Sequence, residues 1–187
     1  MKQPRRWVFL LLVPVILAVT IGLTAYRRHQ RMIVQAATRG LLQEAAQPQP
    51  RLTVVKDLIA QGADVNAQDK DGWSPLHSAS FAGATSLMQV LLDKGANPNG
   101  NAHPDSPTPL ILVLQHNDPQ GVKLLLSKGA NPNLKRNIYD LGNITALKFL
   151  HIKSDTAEFD SQNIEVRKEK QIERLLLRAG AKIEDKP

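Results

Sequence analysis

The chain contains apolar stretches of two kinds, one long stretch near the N-terminus and several short ones that recur later. Residues 7–26 form one run of twenty residues without a charge. From residue 54 onward the apolar runs are shorter and carry apolar residues at helical spacing. Each run is followed directly by a Gly. These runs occupy residues 54–61, 87–94, 122–128 and 172–179. Because Gly adopts the left-handed conformation that ends many helices, the pattern predicts one long N-terminal helix and a series of short helices.

A pentapeptide beginning at each of these glycines reveals a repeat. It reads GADVN at 62–66, GANPN at 95–99, GANPN at 129–133 and a degenerate GAKIE at 180–184, with starts 33, 34 and 51 residues apart. A period of about 33 residues is typical of a stack of helical repeats.

A second shared feature stands upstream of the short runs. Residues 72–79 read GWSPLHSA, residues 108–113 read TPLILV and residues 145–150 read TALKFL. A Ser or Thr hydroxyl caps a free N–H at a helix start, and Pro in the first two of these motifs fits the first helical position. Each unit is therefore predicted to hold a capped short helix, a turn, a second apolar helix, a Gly stop and an Asn-rich loop.

This unit resembles the ankyrin repeat, whose pattern is D-x-x-G-x-T-P-L-H-x-A-A, a Gly turn, and V-V-x-L-L-L-x-x-G-A-D-V-N. Residues 69–99 match it without a gap, and the third unit matches from Thr108 onward with Asn117 and Asp118 at the turn in place of Gly. Only His77 keeps the family's His, whose place is taken later by Ile111 and Lys148, so looser later junctions are expected.

The resemblance implies an all-α ankyrin-repeat solenoid of about four repeats in residues 40–187. An insertion of about fourteen residues, near 153–168, interrupts the last repeat and is expected to form a loop and an extension of a final helix with a charged outer face. The expected repeats are about 40–68, 69–102, 103–136 and 137–184. The layout of a short anchor and few repeats is familiar among bacterial ankyrin proteins, so a bacterial source is expected.

The N-terminal segment predicts a membrane anchor. A basic tail at 1–6 precedes a transmembrane helix at 7–26, which spans roughly 30 Å at 1.5 Å per residue, and a juxtamembrane linker or helix at 27–39 follows. Trp7, Tyr26, Arg27 and Arg28 are the expected membrane-interface residues. The alternative is a cleaved signal peptide. Basic residues flank both sides, and the short tail favours placing the repeats on the extracytoplasmic, periplasmic side of a single-pass membrane protein.

Charge and composition narrow the function. The net charge is +7, but residues 1–31 hold six of the 24 Lys and Arg and no acidic residue, which leaves 18 basic against 17 acidic residues elsewhere. A nucleic-acid binder is not indicated, because phosphate binding needs the charge on the folded domain. The absence of cysteine removes disulfides, thiolate catalysis and Cys-based zinc sites.

Candidate catalytic and metal-binding residues are few. Ser74 lies near His77, but both belong to the expected helix cap, and His103 with Asp105 would make an incomplete metal site. Phosphate-binding Gly-rich loops, HExxH and GxSxG are absent from the sequence. We therefore expect no enzyme activity, no cofactor or metal, and no small-molecule substrate.

The resemblance implies binding through the tips of the loops and the exposed positions of each first helix. Trp73 and Tyr139 are the expected anchors; alternatively, Trp73 packs only against its own repeat. The expected function is a membrane-tethered, non-catalytic module that holds an unidentified protein partner. The alternatives are an inhibitor or immunity protein that neutralises a toxin or enzyme, and an accessory subunit of a membrane complex. The candidate positions are Lys70, Asp71, Trp73, Phe81, Ala82, Pro104, Asp105, Pro107, Gln115, His116, Lys135, Arg136, Tyr139 and Asp140.

Overall fold

The regular structure in the described residues is helical apart from one pair of very short strands. A computed structural model describes residues 6–100, 106–137, 142–155 and 164–182, with the side chains of 6–16, 18, 137, 143, 154–155 and 164–166 outside that description. Helices α1 to α8 are Arg6–Ala45, Leu52–Ala60, Pro75–Phe81, Thr85–Asp93, Pro109–Leu114, Pro119–Ser127, Ala146–Asp155 and Ile164–Arg178. Strands β1 and β2 are Arg136–Asn137 and Asn143–Ile144.

The helices stack in two layers. The first helices of successive pairs, α1, α3, α5 and α7, contact one another in one row, and the second helices, α2, α4, α6 and α8, form the other row. Leu and Ile side chains between the rows are almost fully inaccessible, so stacking buries one continuous core. The large, fully buried side chains include Leu41, Leu76, Leu87, Leu91, Leu110, Leu125 and Ile144.

Helix α1 is one continuous helix of 40 residues, where the sequence predicted separate membrane, linker and repeat segments. Its C-terminal turns belong to the stack, because Ala37, Leu41 and Ala45 are at most 3% exposed. Residues 17 and 19–36, by contrast, are exposed. The C-terminal end of the helix therefore packs within the first repeat.

The prediction of a single-pass membrane protein is wrong. In the part of the chain that the structure describes, no helix has the length and apolar character needed to cross a bilayer. Arg27, Arg28 and Arg31 follow Tyr26 within the same helix. Tyr26, Arg27 and Arg28 are exposed helix residues, and Trp7 lies outside the described side chains.

The predicted helix caps are confirmed. Ser74 begins α3, and its side chain accepts from the N–H of His77. Thr108 Oγ1 accepts from Ile111 N at 3.3 Å and begins α5. Thr145 Oγ1 accepts from Lys148 N at 3.4 Å at the start of the fourth unit's first helix, as its predicted capping role requires.

Asparagines at the end of each pentapeptide tie each repeat to the next. Each Asn side chain accepts a hydrogen bond from a backbone N–H one repeat later, and thereby fills an otherwise unpaired donor of the following turn. The same bond joins the third and fourth units, so α7 and α8 continue the stack despite the insertion. The three bonds are Asn97 N to Asn66 Oδ1 (2.8 Å), Asn131 N to Asn99 Oδ1 (2.7 Å) and Lys182 N to Asn133 Oδ1 (2.8 Å).

The turn between α5 and α6 occurs at Asn117 and Asp118, as predicted. Asn117 has a φ of 47°, the left-handed conformation that Asn tolerates better than most residues. Asp118 caps α6 by accepting from Gln120 N at 2.9 Å, and it also accepts from Thr85 Oγ1 at 2.8 Å, which joins the second and third repeats.

The insertion contributes directly to the junction between the last two repeats. Lys153 Nζ donates to the carbonyl oxygens of Leu114 (3.0 Å) and Gln115 (3.2 Å) and to Asn117 Oδ1 (2.7 Å), so its charge caps the C-terminus of α5. Glu169 is 9% exposed and accepts from Asn117 Nδ2 at 3.4 Å. Helix α8 is extended at its N-terminus as predicted, but Glu169 faces the stack and does not belong to the expected charged outer face.

The antiparallel pair of β1 and β2 in the loop before α7 was not predicted. Arg136 pairs with Ile144, and Asn137 pairs with Asn143. Two-residue strands carry too little of an alternating pattern to be seen in a sequence.

Candidate functional site

A groove with a volume of about 660 Å³ lies where the first repeat meets the second. One wall comes from the turn that follows α1, and the floor comes from α3 and the loop before it. Its lining residues are Ala46, Gln47, Pro48, Asp69, Asp71, Trp73, Ser78, Phe81 and Ala82. Four of the predicted binding positions, Asp71, Trp73, Phe81 and Ala82, are brought together here.

The loop before α3 is held in shape by Asp69. Its Oδ1 accepts from the backbone N–H groups of Asp71 and Trp73, both at 2.9 Å, and its own backbone N–H donates to the Trp73 carbonyl oxygen at 2.9 Å. Gly72 has a φ of 79°, which closes the turn. An Asp at the start of a turn commonly makes these bonds, so the loop tip is pre-organised.

Two aromatic rings form the apolar floor of the groove. Trp73 and Phe81 meet edge to face, with ring centroids 5.5 Å apart and an interplanar angle of 76°. The Trp73 ring also lies 6.2 Å from the imidazole of His77. Trp73 is therefore half-buried against its own repeat and still lines the groove, while Phe81 is 52% exposed.

The opposite wall is braced by an ion pair that was not predicted. Arg51 Nη2 lies 2.9 Å from Glu44 Oε2, and Arg51 Nε and N both donate to Glu44 Oε1, at 3.1 and 2.8 Å. The hydrogen bonds from Arg51 lower the pKa of Glu44 to about 2, so the carboxylate stays ionised. This bidentate pair closes the Pro-rich turn that carries Gln47 and Pro48.

Ser74 and His77 lie beneath the floor and form a helix cap. Ser74 N donates to His77 Nδ1 at 3.1 Å, and Ser74 Oγ lies 2.8 Å from the same nitrogen. Since the two residues are 3% and 0% exposed, a substrate has no access to them. The arrangement fits a capping box and not a nucleophile with its base.

The environment of His77 favours its neutral form. Burial lowers the pKa of His77 to about 4, with the nearby Arg136 adding to the effect and Asp69 opposing it. His77 Nε2 has no hydrogen-bond partner among the residues that the structure describes. The His77 ring packs closely against the backbone at Gly100.

The remaining candidate positions are spread over the stack. Gln115 and His116 are exposed, and His116 Nε2 donates to the carbonyl oxygen of Phe81, which joins the second and third repeats. Lys70 and Lys135 are exposed. Two predicted positions are less accessible than expected: Pro107 is buried, and Arg136 is half-buried with its Nε inaccessible. The other candidates lie outside the described residues, namely His103, Pro104, Asp105, Tyr139 and Asp140.

Several lining residues were missed by sequence reasoning. Gln47 and Pro48 belong to the Pro-rich turn of the first repeat, and Ser78 lies within the motif at 72–79. The signal for the turn was its extra residue relative to the repeat pattern, because an added residue must bulge from the stack. Within the described ranges, no group of three or more His, Cys, Asp or Glu side chains is placed to hold a metal ion.

Paired helices, glycine stops and a grooved face define a helical repeat protein. The family model for ankyrin repeats matches residues 42–136 in three copies, which is just over half of the chain. The chain belongs to the ankyrin-repeat family. The fourth helix pair lies beyond the matched region.

Similar proteins share the repeats and little else. The chain is 44% identical over 64 residues to the neurogenic locus Notch protein of Drosophila melanogaster, covering 34% of the chain and 2% of that protein. It is 36% identical over 106 residues to the human BCL-6 corepressor-like protein 1, covering 56% and 6%. It is 33% identical over 114 residues to the E3 ubiquitin-protein ligase KEG of Arabidopsis thaliana, covering 60% and 6%. These relatives are eukaryotic and do not support the expected bacterial source.

Proposed function

We propose that this chain is a non-catalytic protein–protein interaction module. It holds a partner on the face formed by the loop tips and the row of first helices. The observation that carries the proposal is the groove at the first two repeats, where Trp73 and Phe81 remain accessible beside a pre-organised loop. Exposed aromatic residues in a pocket are the side chains that most often dominate binding energy.

The distribution of structural roles supports this proposal over an enzymatic one. The side chains with catalytic potential, Ser74 and His77, are buried and engaged with each other in a helix cap. The groove is lined by apolar, amide and carboxylate groups and by the hydroxyl of Ser78. The matches to the relatives cover only 2% to 6% of those proteins, as expected of a binding module.

Site-specific photo-crosslinking tests the proposal. A benzophenone amino acid is placed at Lys70, at the loop tip, and in a matched variant at Lys123, an exposed residue of α6 in the other helix row. In cells of the source organism, we expect protein adducts from position 70 and none from position 123, identified by mass spectrometry. Equal adducts at both positions, or none at position 70, refute the proposal.

The crosslinked partner also separates the finer roles. A toxin or enzyme whose activity falls in proportion to a one-to-one complex supports an inhibitor or immunity protein. A stable larger assembly that loses activity without this chain supports an accessory subunit. Both roles use the same face, so the measurement distinguishes them where the fold does not.

A further inference from the structure

The groove at the first two repeats differs in charge from the chain as a whole. The chain carries a net charge of +7, yet the charged residues that line the groove are Asp69 and Asp71, with no basic residue among the described lining positions. Lys70 lies between them in sequence but does not line the groove. The charged side chains that line the groove are therefore both acidic, and they lie next to an aromatic floor.

The two carboxylates play different parts. Asp69 is fixed by two backbone N–H groups that share one of its oxygens, so its position is set by the turn. The structure records no hydrogen bond or ion pair to the carboxylate of Asp71 among the described residues. Asp71 is exposed at the edge of the groove and is not used by the fold.

The aromatic floor complements this carboxylate. The edge-to-face contact between Trp73 and Phe81 leaves Phe81 half-exposed beside the indole, and Pro48 and Ala46 complete an apolar wall. A volume of about 660 Å³ lies in the range of small-ligand pockets, which suits a few side chains of one segment.

We propose that this groove takes a segment of a partner protein that presents an arginine beside a large apolar side chain. The proposal rests on the proposed function and specifies the chemistry of its partner. A guanidinium stacks on an aromatic face and forms two parallel hydrogen bonds to a carboxylate, whereas an ammonium is more strongly hydrated and does neither as well. The guanidinium would lie between the aromatic pair and Asp71, and the apolar side chain against Phe81 and Pro48.

Peptide selection on the full chain provides the test. A random peptide display library is panned against the Trp7→Phe variant, in which Trp73 is the remaining tryptophan of the two in the chain. We expect enriched peptides to share an arginine next to a large apolar residue. A synthetic enriched peptide should shift the emission of Trp73, and its Arg→Lys analogue should bind about fivefold more weakly.

Matched variants locate the binding. In the same background, Asp71→Asn should weaken binding of the peptide about five- to tenfold, and Phe81→Leu by a similar factor. Asp57→Asn, at an exposed position of α2 outside the groove, should change it by less than about twofold. Circular dichroism checks that each variant is folded. Because Asp71 is exposed, Asp71→Asn should leave the fold intact, so a loss of binding in this variant reports on the groove.

Three outcomes would overturn the inference. They are an empty selection, enriched peptides without arginine, and arginine peptides whose binding is unchanged by Asp71→Asn. An emission shift of Trp73 on raising the protein concentration alone would assign the groove to a second copy of the chain and also overturn it. None of these results removes the proposed function, which stands or falls with crosslinking at position 70.

Discussion

The close approach of Gly100 to His77 leads to a sharp prediction for Gly100→Ala. Gly100 follows the second pentapeptide with a φ of +67°, and a Cβ added there would overlap Cε1 and Nε2 of the imidazole. The ring has no room to retreat, because it is 0% exposed and its other nitrogen is bound to Ser74. The substitution therefore combines backbone strain with overpacking.

The magnitude follows from a matched glycine. Gly95 has a φ of +88°, and nothing lies within 4 Å of an added Cβ, so Gly95→Ala costs only the left-handed strain of about 1 kcal/mol. Gly100→Ala adds an overpacked contact with a buried ring, which costs about 2 kcal/mol more. We expect Gly100→Ala to lower the free energy of unfolding by about 3 kcal/mol in total.

Urea titrations followed by far-ultraviolet circular dichroism at pH 7 measure both losses. A second background with His77→Ala removes the ring, so Gly100→Ala should then cost no more than Gly95→Ala, a coupling of about 2 kcal/mol. Trimethylamine N-oxide, added to all samples, keeps the weaker variants folded. Equal losses from the two glycine substitutions in the native background would show that the ring and the loop are not in contact and would refute the reasoning.

Three further predictions concern the cap and the junctions between repeats. Burial lowers the pKa of His77 from 6.5 to about 4, so its stabilisation is complete above pH 6.5 and is lost as the pH falls towards 4. Between pH 7 and 5, urea titrations should show the native chain losing about 2 kcal/mol more than His77→Ile; equal losses contradict this. Asn133→Ala should cost about 1–2 kcal/mol and speed amide exchange in α8 more than in α2, while the exposed Ser127→Ala should not; uniform exchange contradicts a local junction. Thr85→Val and Asp118→Ala should show a coupling of about 1 kcal/mol in a double-mutant cycle, and simple additivity contradicts the bond between them.

Much of the stack could be predicted because its signals are local. A capping side chain and the backbone N–H that it bonds lie three residues apart, as at Ser74, Thr108 and Thr145. A glycine directly follows each second helix or its last turn. Asn117 was recognisable as a turn residue because Asn tolerates the left-handed conformation without being Gly. These features depend on residues that are close in sequence, so the amino-acid sequence alone predicts them.

The features that were missed depend on side chains that meet across the stack. Lys153 reaches the end of α5 from an insertion that the repeat pattern does not contain, at separations of 36 to 39 residues. The sequence also did not reveal that residues 7–26 and the first repeat share one helix, which continues to Ala45 and packs there against the first repeat.

The candidate site consists largely of side chains that the fold does not engage. His77 has the chemistry of a catalytic residue, and the asparagines of the pentapeptides have the chemistry of a ligand site, yet the first completes a cap and the others join consecutive turns. In the groove, Asp69 is likewise engaged by its own turn, while Asp71 and much of Phe81 are not. Because stacking a repeat requires the engaged residues and tolerates variation in the others, we expect the partner preference of this chain to reside in Asp71, Phe81 and the groove face of Trp73.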